Sequence, residues 1–254
     1  MGDLILLRHG ETEWSRDGRH TGRTDVPLTW RGEEQATAVR PLLANRKIVR
    51  VLTSPAGRAR RTAELAGLDP ARATPGLWEW DYGAYEGRTT PGIQRERPGW
   101  YLWRDGVEPD MTAGGLPGET VEQVGDRVDG VLADVRPSLA DGDVALVAHG
   151  HVLRVLTARW LDLPPQDGRL FKLGTATVST LATEHGHPVI ATWNAPPPYP
   201  RLDHQLWRSF FGAIRRKSFA IIGDLGGYQI WVVTRFRGGG PPRGGRLPVG
   251  RTGR

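Results

Sequence analysis

Two hydrophobic periods alternate along roughly the first 195 residues, and that alternation limits the fold more than any other feature of the chain. Leu4-Ile5-Leu6-Leu7, Ile48-Val49-Arg50-Val51-Leu52 and Val144-Ala145-Leu146-Val147-Ala148 are short, nearly continuous apolar runs. Such runs mark strands, and the first of them reads as buried on both faces. Between them, apolar residues recur at helical spacing. Thr29 suits an N-cap, Glu33 and Glu34 suit the positive end of a helix dipole, and Ala36, Val39, Leu42 and Leu43 share one face. A helix from about Trp30 to Asn45 is predicted, followed by others over Ala56 to Ala66, Glu119 to Val135 and Val152 to just before Pro164-Pro165. Thr177 to Ala182 and Val189 to Trp193, separated by Glu184-His185-Gly186-His187-Pro188, read as a hairpin. Strands alternating with helices imply an α/β fold, a three-layer sandwich in which helices flank a mostly parallel sheet.

Absences narrow the chemistry. The chain has no cysteine, which excludes disulfides, thiol nucleophiles and thiolate metal sites. No run approaches the roughly 18 apolar residues of a membrane span, and Met1-Gly2-Asp3 lacks the basic flank of a signal peptide, so a cytoplasmic protein without a membrane partner is expected. The net charge of +6 invites a nucleic-acid reading until it is divided along the chain. Residues 1–199 carry 23 Lys and Arg against 26 Asp and Glu, whereas residues 200–254 carry 11 against 2. The basicity belongs to the tail. From Arg237 to Arg254, 15 of 18 residues are Gly, Arg or Pro, a composition that buries too little apolar area to order itself. A domain over 1–199 and a largely disordered basic extension over 200–254 are therefore expected, and Phe210 to Phe236 gives no coherent pattern.

Two of the apolar runs end in histidine followed by glycine: Leu7-Arg8-His9-Gly10 and Ala148-His149-Gly150-His151. Open α/β sheets bind ligands at the carboxyl ends of their strands, so both imidazoles are candidates for one pocket, and the glycines leave room for an oxyanion near the backbone. Arg8 adjoins His9, and Arg58, Arg60 and Arg61 begin a helix at another strand-to-helix junction. Guanidinium groups and helix N-termini suit phosphate oxygens. Spacing alone does not choose among the three arginines. From Glu79 to Gly118 periodicity fails, while Trp78, Trp80, Trp100, Tyr101 and Trp103 cluster; such a stretch reads as a functional excursion. His149 and His151 lie two apart without an acidic or thiolate companion, so no metal is expected. His20, His185, His187 and His204 read as ordinary polar residues.

The segment Leu6-Leu7-Arg8-His9-Gly10-Glu11-Thr12-Glu13-Trp14 resembles the RHG signature of the histidine phosphatase superfamily, the phosphoglycerate-mutase-like proteins. Thr21-Gly22-Arg23-Thr24-Asp25-Val26-Pro27-Leu28-Thr29, Ser54-Pro55 with Arg58-Ala59 and Thr62-Ala63, Glu79-Trp80-Asp81-Tyr82-Gly83 with Tyr85-Glu86-Gly87, Gly118-Glu119-Thr120 and His149-Gly150 follow in the family's order. The resemblance covers about residues 3 to 195 and implies a phosphoglycerate-mutase-like fold. It implies that His9 becomes a phosphohistidine, that Arg8, Arg58 and His149 bind the transferring phosphoryl group, and that Glu79 is the proton donor. No cofactor is implied, because the arginines supply the positive charge. Ser15 stands where many relatives carry asparagine, and Ser15, Thr21 and Gly150 are secondary contacts.

The branch most similar holds sedoheptulose-bisphosphatase-like enzymes and broad acid phosphatases. The excursion contains Arg88, Arg95, Arg97 and Arg104 but no lysine, unlike the basic insert of the cofactor-dependent mutases, which favours hydrolysis over a phosphomutase. Arg104 or Arg154 is expected to contact a distal phosphate or hydroxyl of a small phosphorylated metabolite, with Trp100, Tyr101 and Trp103 as walls. A homodimer remains open. A rival is a non-enzymatic nucleic-acid-binding module acting through the tail. The abrupt change after Pro198 also suits a non-native extension. A chain ending at Tyr199 is expected to keep its phosphatase activity and its unfolding midpoint; loss of folding on that truncation would place the tail within the fold.

Overall fold

The computed structural model describes residues 1–68 and 70–198, together with the backbone of two strands, Ile222–Leu225 and Tyr228–Trp231. Contacts divide the chain into the units Met1–Tyr199 and Pro200–Arg254. The two strands pair antiparallel in the second unit. The disorder expected of the extension otherwise concerns residues outside those described.

Six strands form one mixed sheet: β1 (Leu4–Arg8), β2 (Ile48–Thr53), β3 (Arg72–Ala73), β4 (Asp143–Ala148), β5 (Val178–Glu184) and β6 (His187–Ala195), in the spatial order β3-β2-β4-β1-β5-β6. Within it, β3, β2, β4 and β1 run parallel, and β5 and β6 antiparallel. Side chains of the central strands alternate between two cores. Leu4, Leu6, Val144, Leu146 and Ala148 pack in the core that receives helices Val121–Val135 and Gly150–Trp160. Ile5, Leu7, Ala145 and Val147 pack on the other side, with Val39, Leu43, Ala63 and Ala66. Helices therefore cover both faces, as the period-2 alternation of buried strands requires. Among the described residues no helix is long and apolar enough to cross a membrane.

Local chemistry sets the boundaries. The helix expected over 30–45 breaks into Trp30–Ala38 and Arg40–Leu43, because Pro41 has no N–H to continue the ladder and its ring crowds the carbonyl four residues back. Thr120 caps helix Val121–Val135 with reciprocal bonds to Gln123, leaving Glu119 just outside. Helix Gly150–Trp160 begins two residues earlier than expected. The hairpin is tighter than its sequence suggested: His185 and Gly186 adopt φ of 50° and 85°, a two-residue turn that lets Glu184 and His187 pair. β3 spans two residues, too few to show a period. Within the excursion, helices Thr90–Gln94 and Leu102–Asp105 interrupt irregular chain, and Trp80, Trp100 and Trp103 bury in the same core as helix Gly150–Trp160.

β1 and β4 are neighbours, yet the chain leaves β1 toward one face and β4 toward the other. The crevice opened there is where ligands bind in open α/β sheets. Its first turn is held by a close backbone crossing. A Cβ on Gly10 would overlap the carbonyl oxygen of Gly32, and one on Gly32 would overlap that of Glu11. The glycine after His9 thus serves helix packing and not anion approach. Gly32→Ala is expected to destabilise the domain by about 1–3 kcal/mol, read as a lower urea midpoint with unchanged m-value.

Candidate active site

The parallel pairing of β1 and β4 aligns Arg8 with Ala148 and lets the His9 amide donate to the Ala148 carbonyl at 2.9 Å. The side chains of His9 and His149 consequently stand beside one another, ring centroids 5.2 Å apart. The Nδ1 of His9 lies 2.7 Å from the Gly10 carbonyl. A carbonyl can only accept, so Nδ1 carries the proton and Nε2 keeps its lone pair. His9 lines a cavity of about 380 Å³, and its Nε2 has no hydrogen-bond partner among the described residues.

Arg58 fixes the second imidazole. Its guanidinium is buried, and Nε donates to His149 Nδ1 at 3.2 Å, so Nε2 of that ring bears the proton, which is donated to Ser54 Oγ at 2.7 Å. The remaining Arg58 donors reach the carbonyls of Thr21, Gly22 and Thr24 at 2.8–3.2 Å, with Asp25 at 3.8 Å. Arg60 and Arg61 are exposed, and Arg61 pairs with Glu33 and Glu64. Geometry therefore singles out Arg58, which sequence spacing left open. Arg8 donates from Nη1 to the Leu173 carbonyl at 2.6 Å, while its Nε is buried without a partner among the described residues. An unsatisfied buried donor is costly, and the residue that carries this one lines the cavity. Gly150 keeps the guanidinium in place, since a Cβ there would stand 3.3 Å from Arg8 Cζ.

Glu79 arrives from the excursion. Its Oε1 accepts from the amides of Trp80 and Val152 at 2.9 and 2.8 Å, and Oε2 accepts from His151 N at 2.9 Å. A carboxylate 70 residues distant thereby caps helix Gly150–Trp160, whose own N-cap His149 makes no side-chain cap bond. The carboxylate therefore serves as a helix cap, and the same residue also lines the cavity.

The electrostatics keep every imidazole at the site neutral. Burial pushes the pKa of His9 well below the ordinary histidine value, and the positive charges of Arg8 and Arg58 push it further. His149 is held down by burial and then by Arg58, His151 by burial and then by Arg154. His20 is lowered to about 4 by burial. Neutral nitrogen lone pairs therefore sit among permanent cations, an arrangement suited to attack on an anionic centre.

The candidates from sequence separate into three groups. Arg8, His9, Ser15, Thr21, Glu79, Gly150 and Arg154 line the cavity. Arg58 and His149 stand behind His9, joined to each other. Arg104 does not reach the cavity: it is largely exposed, clasps Asp105 with two bonds of 2.7–2.8 Å and donates to the Gly99 carbonyl. It borders instead a wider hollow of about 590 Å³ that holds no imidazole. Sequence proximity to Trp103 suggested the site, but the adjacent carboxylate captures the guanidinium. Arg154 lies 4.7 Å above the Trp103 ring and donates to the carbonyls of Gly168 and Arg169. The Ser15 hydroxyl is engaged with the backbone of Thr12, and that of Thr21 with Arg19 O. Sequence reasoning passed over several wall residues, His20, Tyr82 and His151 among them. His20 is 8% exposed and not a surface group; its ring lies 4.8 Å from that of Tyr82, whose hydroxyl bonds His151 Nδ1 at 2.5 Å. The only signal for His20 was its place directly before Thr21-Gly22-Arg23.

Comparison with known proteins accords with this geometry. The model of the histidine phosphatase superfamily (branch 1) matches residues 4–196. The chain is 43% identical over 185 residues to an acid phosphatase of Mycobacterium tuberculosis, covering 72% of this chain and 87% of that one. It is 37% identical over 194 residues to sedoheptulose 1,7-bisphosphatase of Saccharomyces cerevisiae, covering 64% and 68%. Among solved structures, mycobacterial glucosyl-3-phosphoglycerate phosphatase in complex with VO3 superposes with a TM-score of 0.66 at 29% identity, covering 77% of this chain and 100% of that one.

Neutral burial makes stability depend on pH. The unfolded chain takes up protons on these imidazoles below about 6.5, whereas the folded site refuses them until far lower pH. Stability is thus complete above about pH 6.5 and falls as pH drops toward 4. His20, lowered to about 4, contributes at most about 1.4 kcal/mol per pH unit across that window. Urea midpoints measured from pH 7 to 4 are expected to fall less steeply for His20→Gln than for the parent chain.

Proposed function

The chain belongs to the histidine phosphatase superfamily, and from that premise we propose that it is a metal-independent phosphatase hydrolysing small phosphomonoesters through a phosphohistidine on His9. The observation that carries this reading is the tautomer of His9. The Gly10 carbonyl holds the proton on Nδ1 and leaves Nε2 as an unprotonated nucleophile on a residue that lines the cavity, within the field of the Arg8 and Arg58 charges.

In the first half-reaction, Nε2 of His9 attacks phosphorus and the bond from phosphorus to the ester oxygen breaks. That oxygen keeps the electron pair and takes a proton from Glu79. In the second, water attacks the phosphohistidine, its proton passes to Glu79, and the phosphorus–nitrogen pair returns to Nε2. The unpartnered Nε of Arg8 supplies a donor to an equatorial phosphoryl oxygen, and Arg58 adds charge from behind. The His149 ring, held neutral between Arg58 and Ser54 with both nitrogens engaged, backs the His9 ring without competing for the proton.

Sugar phosphates or bisphosphates fit the rest of the cavity. Arg154 offers a cation beyond Glu79, Tyr101 and Trp103 offer apolar walls, and Ser15, Thr21 and Gly150 border the phosphoryl end. The names of the acid phosphatase and bisphosphatase relatives favour the same class. A phosphomutase needs a strong second anion site to retain a bisphosphorylated intermediate. Three of the excursion's four arginines are instead occupied by carboxylates, Arg88 by Glu96, Arg97 by Glu108 and Arg104 by Asp105, at 2.5–2.7 Å. That occupancy favours hydrolysis.

In a screen of phosphorylated metabolites, His9→Ala is expected to abolish turnover and with it an acid-labile phosphoryl adduct seen on the parent chain. Glu79→Gln is expected to lower kcat by about 10²–10⁴-fold. Treatment with EDTA should change neither. Turnover surviving His9→Ala would overturn the reading.

A further inference from the structure

Glu79 is held in place by an ion pair that touches neither the cavity nor His9. Arg127, on helix Val121–Val135, donates from Nη1 to the carbonyls of Gly76 and Trp78 at 2.8 and 2.7 Å. Its Nε and Nη2 grip Glu119 at 2.8 and 3.1 Å. Glu119 Oε2 then accepts the Asp81 amide at 2.9 Å, and the Glu119 backbone bonds Asp81 O and the Trp80 indole. The chain is therefore pinned before Glu79 at residues 76 and 78, and after it at 80 and 81. Every one of these bonds converges on Arg127 and Glu119.

We propose that Arg127, acting with Glu119, is a positioning residue that sets the distance over which Glu79 passes its proton to the leaving group; this rests on the acid role given to Glu79 above. The pair is mostly buried, with side chains 17% and 15% exposed. Burying two charges costs desolvation that their attraction does little more than offset, so stability is a poor reason for the pair to be there. Geometry is a better one. Glu79 caps helix Gly150–Trp160 from one side while Arg127 ties the segment that carries it to helix Val121–Val135 from the other, so two helices fix the carboxylate. A misplacement of about 1 Å in such a group costs on the order of 10²-fold in rate. Lysine cannot substitute, because one ammonium cannot span a carboxylate and two carbonyls in the fork geometry of a guanidinium.

The test separates positioning from folding by the leaving group. A dinitrophenolate departs without a proton, whereas an alkoxide needs one, so only alkyl esters should sense the place of Glu79. Values of kcat/KM for dinitrophenyl phosphate and an alkyl phosphate are compared for the parent, Glu79→Gln, Arg127→Met, Glu119→Gln and the double variant Glu79→Gln with Arg127→Met. Arg127→Met is expected to lose about 10²-fold on the alkyl ester and less than about 3-fold on the aryl ester, and to cost nothing further once Glu79 is gone. Should Arg127→Met not fold, Glu119→Gln, which preserves side-chain shape, carries the same expected selectivity. An equal loss on both esters, or an undiminished loss in the Glu79→Gln background, overturns the positioning role alone. A Glu79→Gln protein that is itself indifferent to the leaving group overturns the acid role and the positioning role together.

Discussion

Everything at the site depends on the register between β1 and β4. Because Arg8 stands opposite Ala148, the residues that follow, His9 and His149, emerge side by side at the carboxyl ends of the two central strands. Side chains alternate faces along a strand, so a slip of one residue would send the two imidazoles to opposite sides. That register is itself enforced by burial. Four residues of β1 and five of β4 place their apolar side chains in two cores at once, and any shift would expose one core to carboxylates and guanidinium groups. The strength of the hydrophobic pattern is thus what holds the polar centre to its geometry.

The polar centre in turn depends on burial being matched by partners. Four histidines are withdrawn from water and remain neutral, and two arginines beside them keep their charge by donating to backbone carbonyls. Among the described residues Arg58 has nearly all its donors satisfied by protein, whereas Arg8 makes a single bond, to the Leu173 carbonyl, and its buried Nε has no partner. That asymmetry divides their duties: one guanidinium builds the floor, and the other presents a donor to whatever enters. Glu79 shows the same economy, since the oxygens that cap helix Gly150–Trp160 also face the cavity.

Much of the architecture was legible from local pattern. The strands of β1, β2 and β4, the Thr29 cap, the helix after Ser54-Pro55 and the adjacency of His9 and His149 follow from periodicity, capping chemistry and the rule for strand ends. Legibility failed where distant segments meet. Helix Gly150–Trp160 starts early because a carboxylate from residue 79 satisfies its first amides, and nothing near residue 150 announces that. His20 looked like a turn residue, yet it is buried against Tyr82 and Trp100, both contributed by the excursion. Arg104 sits beside site aromatics in sequence, but its neighbour Asp105 draws its side chain away.

The amino-acid sequence determined the strands, the two imidazoles and the arginines that could accompany them, because apolar period and turn chemistry are written within a few residues of each position. Tertiary structure decided which arginine meets His149, which ring nitrogen of His9 stays bare and what holds Glu79. The first and last of these depend on hydrogen bonds between residues separated by about 70 to 90 positions, which exist only once the sheet and its helices have brought their two ends together. The His9 tautomer follows instead from the adjacent Gly10 carbonyl, whose orientation the folded turn fixes.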